Sequence, residues 1–126
     1  MSRAGKNVLI VEDDEAYRML LSDALSDAGF GVIAARNGHE ALERVDEKPD
    51  MILLDYMMPD MNGAEVLKKI RGEDSIWAKQ VPIFILTLKD DLSTMAEAIE
   101  EHMSGYITKS GKDLSKVLEI VRRELQ

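Results

Sequence analysis

The chain has 126 residues, 45% of them hydrophobic and 32% charged, which suits one globular domain with a real core. It has no cysteine, so disulfides and thiolate metal sites are excluded and a reducing, cytoplasmic setting is expected. The net charge of -8 argues against a nucleic-acid grip across the surface; no apolar run nears the roughly 20 residues that span a bilayer, and residues 1–7 lack a signal peptide's apolar segment.

Residues 8–11 form a short apolar run that predicts a buried strand. Tyr17, Leu20, Leu21, Ala24, Leu25 and Ala28 then share one helical stripe, with Asp14 placed as N-cap and Gly29 and Gly31 breaking the chain behind it. Gly31–Ala35 predicts a second strand, and Asn37 caps a shorter helix carrying Ala41, Leu42 and Val45. A third strand over residues 51–54 leads into a loop bracketed by Pro59 and Gly63, then a helix marked by Val66, Leu67 and Ile70. Residues 72–80 read as a longer surface connection anchored by Trp77. Residues 83–86 predict a fourth strand, Leu92, Met95, Ala96 and Ile99 a fourth helix, and Gly105–Thr108 a fifth strand. Leu114, Val117, Leu118, Val121 and Leu125 mark the last helix, with Ser110 and Asp113 at capping-box spacing ahead of it.

Strand and helix alternate five times, which predicts a parallel sheet with helices on both faces. Such sheets place their ligand site at the carboxyl ends of the strands. Here the first strand ends in Glu12, Asp13 and Asp14, the third in Asp55, the fourth in Thr87, and Lys109 follows the fifth. Carboxylates crowded at one edge repel unless a cation neutralises them, and Mg2+ suits a few oxygen ligands completed by water and phosphate. A carboxylate beside such an ion can attack a phosphoryl donor, with Thr87 and Lys109 placed to hold the remaining oxygens. The acyl phosphate adds a charge of about -1.5 to -2, enough to bias a bistable element.

The runs VLIVEDDE (8–15), MILLDYMMPDMNG (51–63), IFILT (83–87) and GYITK (105–109) resemble, in order and spacing, the receiver domain of bacterial two-component response regulators. The resemblance covers essentially the whole chain. It implies a (βα)5, flavodoxin-like three-layer sandwich with strand order 2-1-3-4-5. It implies phosphorylation of Asp55 by a histidine kinase or phosphotransfer protein, with Mg2+ held by Asp13, Glu12, Asp55 and the backbone carbonyl of Met57. Thr87 matches the switch hydroxyl, Tyr106 the switch aromatic and Lys109 the phosphate-contacting lysine. The surface of the fourth helix, fifth strand and last helix would then change its preference for an output partner. Membrane insertion and direct nucleic-acid contact are not expected, and a homodimer is compatible with this reading.

Two residues depart from the family pattern. Ser110 follows Lys109 where proline is usual, so a trans bond is expected, since a cis bond without proline costs about 2.5–4 kcal/mol. Leu88 stands where the family has a small residue and is expected to modulate access to Asp55. Both residues favour an alternative, a phosphorylation-independent binding module of the same fold. An aspartyl-phosphate hydrolase is disfavoured because Tyr56 and Met57 follow Asp55, without a second aspartate two places on. His39 and His102 lack ligand spacing and read as surface residues; Met57, Met58 and Met61 read as gap fillers. Lys68, Lys69, Arg71, Arg122 and Arg123 read as solvated helix faces.

Overall fold

A computed structural model of the chain describes residues 5–88, 91, 93 and 102–126. Five strands form one parallel sheet: β1 (Asn7–Val11), β2 (Gly31–Ala35), β3 (Met51–Asp55), β4 (Ile83–Thr87) and β5 (Gly105–Thr108), in the spatial order β2-β1-β3-β4-β5. The register pairs Val11 with Leu54, Asp55 with Leu86, and Thr87 with Thr108, so the carboxyl ends line up along one edge. The described helices are α1 (Glu15–Asp27), α2 (Gly38–Arg44), α3 (Gly63–Arg71), α4 (Ile76–Gln80) and α5 (Ser115–Leu125). The helix expected around Leu92, Met95, Ala96 and Ile99 lies outside the described residues.

Alternation along the strands builds two cores. Leu9, Val11, Ile52, Leu54, Ile83 and Ile85 join the apolar residues of α2, α3 and α4, among them Ala41, Val66, Leu67, Ile70 and Ala78. Val8, Ile10, Met51, Leu53, Phe84, Leu86 and Ile107 face the other way, against Leu21 and Leu25 of α1 and Val117, Ile120 and Val121 of α5. Every residue of β3 and β4 is buried, which is why these strands read as unbroken apolar runs.

Short polar side chains start the helices. Asp14 accepts from Ala16 N at 3.3 Å and Asn37 from Glu40 N at 2.8 Å, as their spacing predicts. Asn62 and Glu65 form a reciprocal capping box at the start of α3. The last helix departs from expectation. Gly111, at φ +57°, turns the chain after Ser110, so α5 begins at Ser115, and Asp113 accepts from Ser115 N and Oγ. The Ser110 carbonyl accepts from Asp113 N at 3.1 Å, but its hydroxyl makes only a 3.5 Å contact to Thr108 O and does not cap the helix.

Residues 72–80 are not simply a connection, because they contain α4. Ser75 caps it by accepting from Ala78 N at 2.9 Å, and Trp77 donates from Nε1 to Pro49 O at 2.8 Å, the anchoring role expected of it. Arg71 is also no solvated charge. Its guanidinium turns inward to the carbonyls of His102, Ala78 and Val81 at 2.8–3.2 Å, tying the end of α3 to α4 and to the approach to β5. Lys68, Lys69, Arg122 and Arg123 are exposed, as expected.

Candidate phosphoacceptor site

The carboxyl edge gathers one chemical group per strand end. Glu12 continues the β1–β2 ladder by donating its N–H to Ala35 O at 3.1 Å, which draws its side chain fully into the interior. Arg18 of α1 holds the Glu12 carbonyl at 2.9 Å. Asp55 ends β3 almost completely buried, while Asp13 stands exposed at the rim. Carboxylate oxygens of these three residues lie within 4.8 Å of one another.

Lys109 provides the positive charge. Its backbone N–H donates to Thr87 O at 2.8 Å, extending the β4–β5 ladder one residue past β5. Its ammonium lies 2.7 Å from Glu12 Oε1 and 3.0 Å from Asp55 Oδ1. Ser110 therefore does not deny Lys109 its reach, and the following peptide is trans as expected. Burial works against the Lys109 charge, but Glu12 and Asp55 outweigh it and raise its pKa.

Asp55 feels the opposite balance. Burial first, and then the neighbouring Glu12 carboxylate, push its pKa up to about 8, against the pull of Lys109. One ammonium is not enough for this cluster. Glu12 Oε1 is buried and accepts no aligned hydrogen bond despite its ion pair with Lys109. A hard divalent cation fits this donor set, since every side-chain ligand offered is a carboxylate oxygen and one of them has unused acceptor capacity.

The other expected residues stand in different relations to this centre. Thr87 is buried at the end of β4, and its hydroxyl donates to Leu88 O at 3.2 Å. Tyr106 lies on β5 opposite Ile85 and is 46% exposed, outside the buried cluster. Met57 is 58% exposed in the loop after β3, so its side chain fills no gap, whereas Met58 is buried and Met61 packs against the core. Leu88 is 56% exposed and lines a cavity of about 320 Å³ with Asp14, Tyr17, Lys109 and Gly111.

Two contacts went unforeseen. Lys109 Nζ lies over the ring of Tyr17, 5.0 Å from its centroid; the only hint in the sequence was a polar-tipped aromatic on the stripe of α1, one turn past the acid pair. Asp60, in the loop before α3, accepts from Gly38 N, His39 N and His39 Nδ1. Burial opposes its charge, but these bonds and the Met61 N–H outweigh that and lower its pKa to about 2. His39 is indeed a surface residue, yet it helps pin this loop to α2.

Comparison with known proteins agrees with this geometry. Residues 8–122 match the family model of the response regulator receiver domain. The chain is 38% identical to the alkaline phosphatase synthesis transcriptional regulatory protein PhoP of Bacillus subtilis over 105 residues, 82% of this chain and 42% of that protein. It is 32% identical to the Regulator of RpoS of Escherichia coli over 118 residues, 93% of this chain and 34% of that one. The chain thus spans well under two thirds of the length of these relatives. Among solved structures, it resembles the chemotaxis protein CheY4 of Vibrio cholerae with a TM-score of 0.85 and 31% identity, covering 97% of this chain and all of that one. It also resembles the response regulator TrrA of Thermotoga maritima, solved in complex with Mg2+-BeF, with a TM-score of 0.81 and 30% identity over 95% and 99% of the two chains.

Proposed function

Since the chain belongs to the response regulator receiver domain family, a family of signalling switches, we propose that it is a single phosphoacceptor unit whose acceptor is Asp55. The observation that carries this reading is the convergence of Glu12, Asp13 and Asp55 within 4.8 Å, with Lys109 paired to two of them. Asp13, Glu12, Asp55 and the Met57 carbonyl would hold Mg2+, which when bound neutralises charge on the transferring phosphoryl oxygens.

The protein's own groups do the rest. A carboxylate oxygen of Asp55 attacks the phosphorus of a phosphohistidine on a histidine kinase or phosphotransfer protein. The new O–P bond forms as the P–N bond breaks, and the imidazole leaves with the electron pair. Lys109 exchanges its contact with Asp55 for one with a phosphoryl oxygen. Thr87 gives up its bond to Leu88 O and turns its hydroxyl to another oxygen, and Tyr106 moves from its exposed position into the space vacated. β5 and α5 then present a changed face to an output partner, a population shift between two states. Leu88, on the wall of the adjoining cavity, limits the approach of small donors and water. No described helix is long and apolar enough to cross a membrane.

Acetyl phosphate or beryllofluoride with Mg2+, together with a kinase assay, tests this reading. The expected result is a Mg2+-dependent adduct that disappears in Asp55→Asn. If neither a small donor nor a kinase phosphorylates Asp55, the chain is a phosphorylation-independent binding module, the reading that Leu88 favours.

A further inference from the structure

We propose that Tyr17 is a positioning residue for the phosphoryl chemistry: the face of its ring holds the Lys109 ammonium against Asp55. The inference rests on the phosphoacceptor reading above and extends it to a residue outside the acid cluster.

The backbone of Lys109 is fixed by its N–H bond to Thr87 O, but that bond sets the Cα and not the end of a flexible four-carbon stem. Three neighbours locate the ammonium. Glu12 and Asp55 attract it from the interior at 2.7 and 3.0 Å. On another side lies the Tyr17 ring, with its centroid 5.0 Å away, within the range of a cation–π contact. The cavity lined by Asp14, Tyr17, Leu88, Lys109 and Gly111 offers a competing position. An ammonium that swung into it would find water and the exposed Asp14 carboxylate, and would leave Asp55.

Tyr17 is well placed to oppose that swing because α1 fixes it. Asp14 caps the helix, Arg18 N donates to Asp14 O at 2.9 Å, and the Arg18 guanidinium grips Glu12 O. The body of Tyr17 packs against the core on the α1 side of the sheet. The ring face therefore has a set position relative to both Glu12 and Lys109. It shields one side of the ammonium from solvent, which strengthens the pull of that charge on a developing phosphoryl oxygen.

The test is the affinity for beryllofluoride at saturating Mg2+, read by fluorine NMR in the full chain. Four forms are compared: wild type, Tyr17→Phe, Tyr17→Leu, and a protein carrying difluorophenylalanine at position 17. The last keeps the ring's shape while draining its π face. Tyr17→Phe is expected to bind within about twofold of wild type, Tyr17→Leu about fivefold more weakly, and the difluoro protein in between. The Lys109 ε-methylene protons should show a ring-current shift in wild type and Tyr17→Phe and lose it in Tyr17→Leu. Equal affinity for all four forms overturns the inference. So does a difluoro protein that matches Tyr17→Phe, because the ring would then act only by filling space. If wild type neither binds beryllofluoride nor is phosphorylated by a kinase, the phosphoacceptor reading falls and this inference falls with it; if wild type binds beryllofluoride or is phosphorylated and the variants match it, only this inference falls.

Discussion

The ammonium of Lys109 lies 3.0 Å from Oδ1 of Asp55, so the proposed phosphoryl contact already pairs with the proposed acceptor. The pair is largely buried, with the Lys109 side chain 17% exposed and that of Asp55 5% exposed. Removing the cation leaves two buried carboxylates facing each other. Lys109→Gln is therefore expected to destabilise the metal-free protein by about 1–3 kcal/mol, below the range for stranding a buried ion because Asp55 can take up a proton. It should also slow phosphorylation more than tenfold. Urea denaturation with and without Mg2+ and the rate with acetyl phosphate check both effects.

The raised pKa of Asp55 gives a pH signature. Its folded value, about 8, lies above the ordinary carboxylate range. The folded protein therefore binds the proton more tightly than the unfolded chain does, and the resulting stability is fully present at low pH and lost as pH rises through about 8. Asp55→Asn removes this titration. In metal-free buffer the two proteins should melt at similar temperatures near pH 3, below the ordinary carboxylate pKa, with the variant increasingly the more stable up to about pH 8 and the gap level above that. A difference in Tm that shrinks with rising pH would contradict this balance. Mg2+ competes with the same proton, so its affinity for wild type should climb with pH and level off above about 8.

Gly63 couples the start of α3 to β3, the strand that ends in Asp55. A Cβ there would come within 2.8 Å of Asp55 O and 3.0 Å of Tyr56 Cα, both backbone atoms, and the Gly63 N–H already donates to Tyr56 O at 2.7 Å. Gly63→Ala must push α3 away from β3, with an expected loss of about 1–3 kcal/mol. Because the loop that joins β3 to α3 carries Met57, the proposed carbonyl ligand, Mg2+ affinity should fall as well. Calorimetry and urea denaturation of the same sample measure the two together.

Leu88 is exposed at the cavity wall, so trimming it leaves the core intact. Leu88→Ala is expected to speed phosphorylation by acetyl phosphate, and loss of the phosphoryl group to water, each by several-fold. Its Tm should change little, as for surface changes within about 0.5 kcal/mol. Phosphate release followed over time after removal of the donor reads this directly; unchanged rates would remove Leu88 from any role in access.

Much of this protein is determined by its amino-acid sequence alone. Apolar runs of strand length, separated by helical stripes, require a parallel sheet, and parallel strands carry their carboxyl ends to one edge. Glu12, Asp13, Asp55, Thr87 and Lys109 end or follow such runs, so their arrival at that edge follows from chain direction. Tertiary structure decided what they do once there. Whether Lys109 reaches Glu12 and Asp55 depends on a ladder bond to Thr87 across the sheet, and Tyr17 meets it only because α1, packed on β1 and β2, begins within reach of the Lys109 side chain. Arg71 turned inward because carbonyls from α4 and the approach to β5 lay within its reach, and α5 began late because Gly111 turned the chain. Periodicity reports which face of an element is buried; it carries no information on which distant group a long polar side chain meets there.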